Sequence, residues 1–258
     1  MSHRPRSLRH EYELYVDREI ENYKESIPRS VILAIGEEAV QSLSSSQQLA
    51  LTEILLCAEV DRIIRARLRI PSFATWRKRR LKALREFSRP ERWGMRPDSA
   101  IARTAQTVAD GHVLVAGARE EGPAIYLAAN GCAVTALDTT EDVLERVLDA
   151  AAEVGLTGRV RGLVTDLASW SPDIPLNAVV CAAAALRGLS PAQRAQAIAL
   201  LQEATTVGGV HVVEMGTEDS HFATFEELSA RYDGWQISVE QGVGSQDPET
   251  FLARKAVA

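Results

Sequence analysis

Histidine and cysteine are too few and too scattered in this 258-residue chain to suggest a metal centre. The cysteines, Cys57, Cys132 and Cys181, are odd in number and share no ligand spacing, so they predict reduced, buried thiols rather than a disulfide framework. The histidines, His3, His10, His112, His211 and His221, form no H-x-x-x-H pair, and no metal ligand is assigned. No apolar run reaches the ~18–20 residues that cross a bilayer. The opening "MSHRPRSLRH" is basic and lacks the apolar core of a secretory leader. Together these absences predict a cytoplasmic protein with no membrane partner.

What is present is an ordinary globular composition, with 46% apolar and 25% charged residues, enough for a large domain and a smaller module. The net charge of −6 conceals a division. Residues 1–98 hold 19 Lys and Arg against 14 Asp and Glu, whereas residues 99–258 hold 10 against 21. The pattern changes at the same place. Up to residue 98 no strand signal occurs. "EYELYVDREIENYKESI", "SVILAIGEEAVQSL", "SSSQQLALTEILLCAEVDRIIRARLRI" and "SFATWRKRRLKALREFS" each read as helices. Ser30 is a plausible N-cap for the second, and Leu49, Leu51, Ile54, Leu55, Ala58, Ile63 and Ile64 form the expected buried stripe of the third. "RPERWGMRPD" reads as a linker. The expected organisation is a helical module over 1–98 and an α/β domain over 99–258.

In that second part strands and helices alternate. "HVLVAG", "CAVTALD", "VRGLVTD", "NAVVCAAAAL" and "VHVVEMG" read as strands, separated by helices with polar N-caps and glycine stops. Alternation of this kind predicts a doubly wound, mostly parallel sheet with helices on both faces. "WQISVEQGV" and "TFLARKAVA" follow without an intervening helix, so they are expected to pair antiparallel at one edge.

Ligands of such sheets lie beyond the carboxyl ends of the strands. Three markers fall there: Gly117 after the first strand, Asp138 after the second and Asp166 after the third. An acidic residue about 20 positions beyond the glycine turn suits ribose hydroxyls. An Asp after the third strand can accept a hydrogen bond from an adenine amino group. The three describe an adenosine-containing ligand. Pro123 stands where a phosphate loop needs Lys, which excludes that type of ATP site, and Arg119 stands where a dinucleotide fingerprint needs glycine.

"HVLVAGAREEGPAIYLAANGCAVTALD" resembles the cofactor-binding start of class I S-adenosyl-L-methionine (SAM)-dependent methyltransferases, and "GLVTDLASW", "NAVVCAAAAL" and "GGVHVVEMG" follow in the order of that family's later motifs. Through "IYLAANGCAVTALD" and "RYDGWQISVEQG…FLARKA" the likeness is to the tellurite-resistance type, over roughly residues 108–258. The resemblance implies a seven-stranded sheet whose last strand is antiparallel. It implies that Ala116, Gly117 and Ala118 lie against the methionine part of SAM, that Asp138 binds the ribose, that Asp166 and Leu167 flank the adenine, and that Ala182 lines the pocket below the sulfonium. The family's G-x-G-x-G is broken at Arg119 and Glu121, where positive φ on a non-glycine residue is expected to cost on the order of 1 kcal/mol or more. The pocket has therefore either rearranged around SAM or lost it, leaving a non-catalytic scaffold. Glu214 and His221 fall where an acceptor would enter, but neither carries a signal that assigns it a catalytic role.

Residues 61–96 hold 13 Lys and Arg against 3 Asp and Glu, with Trp76 and Trp93 flanking the densest run. The partners expected are a small-molecule acceptor or a protein, including a second copy of the chain. Nucleic acid, through the basic helices at 62–92, is less favoured, because no nucleic-acid-binding motif is present and the whole chain is acidic.

Overall fold

The computed structural model describes residues 7–44, 53–117, 121–186, 188–215, 224–241 and 249–256. It divides into two compact units, Met1–Leu81 and Lys82–Ala258.

The first unit is helical: α1 (Leu8–Ser26), α2 (Arg29–Ser44), α3 (Glu53–Arg67) and most of α4 (Phe73–Phe87). Tyr12, Val16 and Ile20 recur one turn apart on α1 and meet Ile35, Ala39, Ile63 and Ile64 in its core. Tyr12 donates its hydroxyl proton to the Pro71 carbonyl at 2.8 Å and accepts from Arg65 at 2.6 Å. Two expectations fail here. α2 starts at Arg29, so Ser30 lies inside it, and the first turn is closed by the Pro28 carbonyl, which accepts from Val31 and Ile32. On α3 the inward phase is Leu56, Val60, Ile63 and Ile64, whereas Ile54, Leu55 and Ala58 are exposed; Leu49 and Leu51 lie outside the described residues. A helix as apolar as this one offers two adjacent stripes, and only packing selects between them.

The second unit contains α5 (Ala100–Thr107), β1 (His112–Ala116), α6 (Gly122–Ala129), β2 (Ala133–Asp138), α7 (Glu141–Glu153), β3 (Val160–Val164) and β4 (Leu176–Ala182). It continues through α8 (Pro191–Ala204), β5 (Thr205–Met215), α9 (Phe225–Ser229), β6 (Trp235–Glu240) and β7 (Glu249–Lys255). The seven strands form one sheet in the order β3-β2-β1-β4-β5-β7-β6. β1 to β5 are mutually parallel, and β7 runs antiparallel to both β5 and β6. The doubly wound sheet and its antiparallel edge are therefore as expected.

Period-two alternation sends successive side chains to opposite faces. Val113, Val115, Val134, Ala136, Val180 and Val212 join the core under α5, α6 and α7. Leu114, Ala116, Leu137, Cys181 and Val213 join the other core, with Ile198 and Leu201 of α8. "RPERWGMRPD" is not a bare linker. Pro90–Trp93 is a turn of 3-10 helix ended by Gly94 at φ +68°, and Leu84, Phe87, Trp93 and Met95 pack on the first of these cores. Among the described residues no helix is long and apolar enough to cross a membrane, and no group of three or more metal-ligating side chains assembles. Cys132 and Cys181 are buried, but Cys57 is exposed, contrary to expectation.

Candidate functional site

The sheet reverses its winding between β1 and β4. β2 and β3 lie to one side of β1, and β4 and β5 to the other. This is the switch point, and ligands of such sheets lie beyond the strand ends there. The register sets the strand ends side by side. Ala116 is level with Leu137 and Cys181, Asp138 with Val164, and Ala182 with Glu214. Neighbouring strands are about 4.8 Å apart, so these residues line one edge. The ladder runs one step further: Gly117 N–H donates to the Leu137 carbonyl, and Thr165 N–H to that of Asp138, each at 2.9 Å. Gly117, Asp138 and the residues just before Asp166 are thus brought to a common edge.

Gly117 stands at φ +68°, and a Cβ there would come within 2.7 Å of Ala185 Cβ and 2.9 Å of the Ala185 backbone nitrogen. Both the backbone conformation and the space require glycine. Ala185 lies in a 3-10 turn, Ala183–Leu186, that follows β4 and crosses over the end of β1. The strand expected over "NAVVCAAAAL" therefore ends at Ala182, and this turn takes up its last residues. The run of alanines after Cys181 was the available signal, because only small side chains can pass so close to the glycine.

Asp138 uses Oδ1 to accept from Thr140 N–H at 2.9 Å, which fixes the entry to α7. A carboxylate has room for about four such bonds, so most of its accepting capacity remains. Thr140 occupies the N-cap position but makes no side-chain cap bond. Asp166 lies two residues past the end of β3 and accepts from Ser169 N–H at 2.7 Å. Hydrogen bonds from Ser169 hold its carboxyl below the usual carboxylate range, so it is an ionised acceptor at neutral pH. Leu167 is buried in the α8-side core, so its side chain supports the turn. Ala116 is buried, and Ala182 is half-buried at the end of β4. Ala118, Arg119 and His221 lie outside the described residues.

The strain expected at Glu121 is absent. Its backbone is right-handed helical, φ −67° and ψ −23°, at the N-cap position of α6. Its carboxylate turns to Arg146 of α7, 3.9 Å away. Gly122, one residue on, takes the close approach instead: a Cβ there would sit 3.3 Å from Trp93. With α6 beginning at Gly122, residue 121 takes a right-handed backbone and no positive φ is needed there. Glu214, at the end of β5, is half-buried and raises the Cys181 thiol; burial is the larger cause, and together they push it up to about 12.

A family model described as tellurite resistance protein TehB matches residues 92–244. No curated protein sequence matches the chain. Among solved structures, an rRNA methylase from Streptococcus thermophilus is similar at 16% identity and a TM-score of 0.51, covering 66% of this chain and 98% of that one. TehB from Haemophilus influenzae is similar at 18% identity and a TM-score of 0.51, covering 64% of this chain and 65% of that one. The glycopeptide N-methyltransferase MtfA complexed with S-adenosyl-L-homocysteine is similar at 15% identity and a TM-score of 0.50, covering 62% of this chain and 90% of that one. At these identities the structural likeness speaks for the fold, while the family match spans more than half of the sequence. The chain belongs to the TehB family of tellurite resistance proteins, built on the class I methyltransferase fold.

Proposed function

We propose that the protein binds SAM at the β1–β4 switch point and transfers its methyl group to a small-molecule acceptor. The observation that carries this reading is the common edge formed by Gly117, Asp138 and the β3 end at the switch point of a sheet of this order. The residues fit the cofactor. Asp138 retains acceptor sites for two ribose hydroxyls, and Asp166 is an ionised acceptor for an adenine amino group. The Glu121 charge, which would oppose SAM's carboxylate, is drawn to Arg146. MtfA, of similar fold, is complexed with S-adenosyl-L-homocysteine.

SAM supplies an already activated methyl group, so the protein's share is placement and exclusion of water rather than a dedicated acid or base. Leu167 and Ala116 hold the strand ends from within the core, and Ala182 gives the β4 side of the cleft a small, half-buried floor.

Calorimetry with SAM and S-adenosylhomocysteine tests the reading. Micromolar binding that weakens at least about tenfold in Asp138→Ala is the expected result, a loss of about 1.4 kcal/mol. The break of G-x-G-x-G at Arg119 and Glu121 favours a second reading, a scaffold that has lost the cofactor. Silence at millimolar cofactor would establish that reading and remove the first.

A further inference from the structure

α4 carries six Lys and Arg in fifteen residues and one acidic residue, Glu86. At 100° per residue, Phe73, Trp76, Arg80, Leu84 and Phe87 fall on one stripe. That stripe is in use. Phe73 and Trp76 pack on the helical unit's core and Leu84 and Phe87 on the α/β core, while Arg80 reaches Glu11 at 3.2 Å with its side chain 9% exposed. Lys78, Lys82 and Arg85 lie on the opposite side at i, i+4 and i+7, and all three are exposed. On α1 and α3 several cations have carboxylates: Arg9 with Glu13, Lys24 with Asp61, Arg62 with Glu59 and Arg67 with Glu38. Among the described residues no ion pair includes Lys78, Lys82 or Arg85. Like charges three and four apart on a helix each cost about 0.2–0.5 kcal/mol, so the ridge is a standing cost to the fold that a polyanion would relieve.

We propose that this ridge binds the phosphate backbone of a nucleic-acid duplex, independently of sequence and of the methyl-transfer reading. The internal use of the apolar stripe argues against a membrane, because an interfacial helix needs that stripe for the acyl chains. The aromatics near the ridge are likewise engaged. Tyr12, Tyr15, Phe73 and Trp76 pack on one another, and Phe87 packs on Trp93. None of them is left as a platform for unpaired bases, so a single strand gains nothing beyond charge. The cations span about 10.5 Å along one helix, at 1.5 Å per residue, which suits a stiff, regularly charged rod. Contacts from Lys and Arg to phosphate oxygens position a duplex and carry no sequence information.

Fluorescence anisotropy of the full chain with short RNA and DNA duplexes tests this. Three phosphate contacts give a slope of log K against log salt of about −2.7, hence about a 40-fold weakening between 50 and 200 mM salt. Lys78→Gln/Lys82→Gln/Arg85→Gln is expected to abolish that slope, and Arg85→Gln alone to reduce it by about 0.9. Arg9→Gln/Arg18→Gln/Arg29→Gln removes the same charge from α1 and α2 and is expected to change affinity less than about twofold. Far-UV circular dichroism confirms that each variant keeps its helices. Absence of duplex binding at 50 mM salt, an unchanged slope in the ridge variant, or tighter binding to the single strand, to polyglutamate or to anionic vesicles would each overturn the proposal.

Discussion

Lowering the pH from 7 to 5 is expected to weaken the α/β unit through one residue, His211. It is 1% exposed on β5 and hydrogen-bonded on both ring nitrogens, Nε2 to Thr205 Oγ1 and Nδ1 to Tyr232 Oη, each at 2.7 Å. The proton order follows from the neighbours. Thr205 donates its only hydroxyl proton to the Leu201 carbonyl at 2.7 Å, so it must accept from His211 Nε2–H. Nδ1 then bears the lone pair, and Tyr232 donates to it. A second proton on the ring would set two donors against each other in a dry site. Burial chiefly, and the Lys255 ammonium nearby, push His211 down to about 3. An unfolded His titrates near ~6.5, so the unfolded chain takes up the proton first. Stability is therefore complete above about pH 6.5 and is lost progressively as the pH falls toward 3.

Between pH 7 and 5 the loss is about 2 kcal/mol, fixed by the unfolded value alone as long as the folded value is below about 4. The assay is urea unfolding of the wild type and His211→Gln at both pH values. The variant starts less stable, by roughly 1–3 kcal/mol, because Tyr232 and Thr205 lose well-placed partners. Its gap to the wild type is expected to narrow by about 2 kcal/mol at pH 5, while the titration of surface carboxylates cancels in the difference. A gap that stays constant would mean that the folded protein protonates His211 as readily as the unfolded chain does, and the buried proton order argued above would be wrong.

Gly117→Ala is expected to destabilise by about 3 kcal/mol, the sum of positive φ and the collision with Ala185, whereas Gly188→Ala, at φ +83° with nothing within 4 Å, is expected to cost only about 1; thermal unfolding compares them. Ser190→Ala removes a complete capping box with Gln193 and is expected to cost about 1 kcal/mol in the same assay. Ellman's reagent is expected to titrate one thiol per native chain, Cys57, because burial pushes Cys132 up to about 11 and, with Glu214, Cys181 up to about 12; all three react in urea.

Much of this was legible locally. Ser190 caps a helix, Gly131 and Gly155 end helices at positive φ, and the apolar runs from Val113 to Val212 alternate between two cores. Each follows from a few residues of sequence, because caps, turns and periodicity are decided within one or two turns of chain. Contacts between distant segments were not legible. The overlay of Ala185 on Gly117 joins residues 68 apart, and the His211 site joins Thr205, Tyr232 and Lys255 from both ends of a long stretch.

The sequence by itself determined the order of helices and strands along the chain and the acidic residues at two strand ends. Those depend on hydrophobic period and backbone preference, which act between neighbours. Only the tertiary structure decided which stripe of α3 faces inward, that Glu121 takes a relaxed helical backbone and turns to Arg146, and that His211 stays neutral. Those depend on which surfaces meet and exclude water, and the energy of a charge or a side chain is set by what is packed against it rather than by what precedes it in the chain.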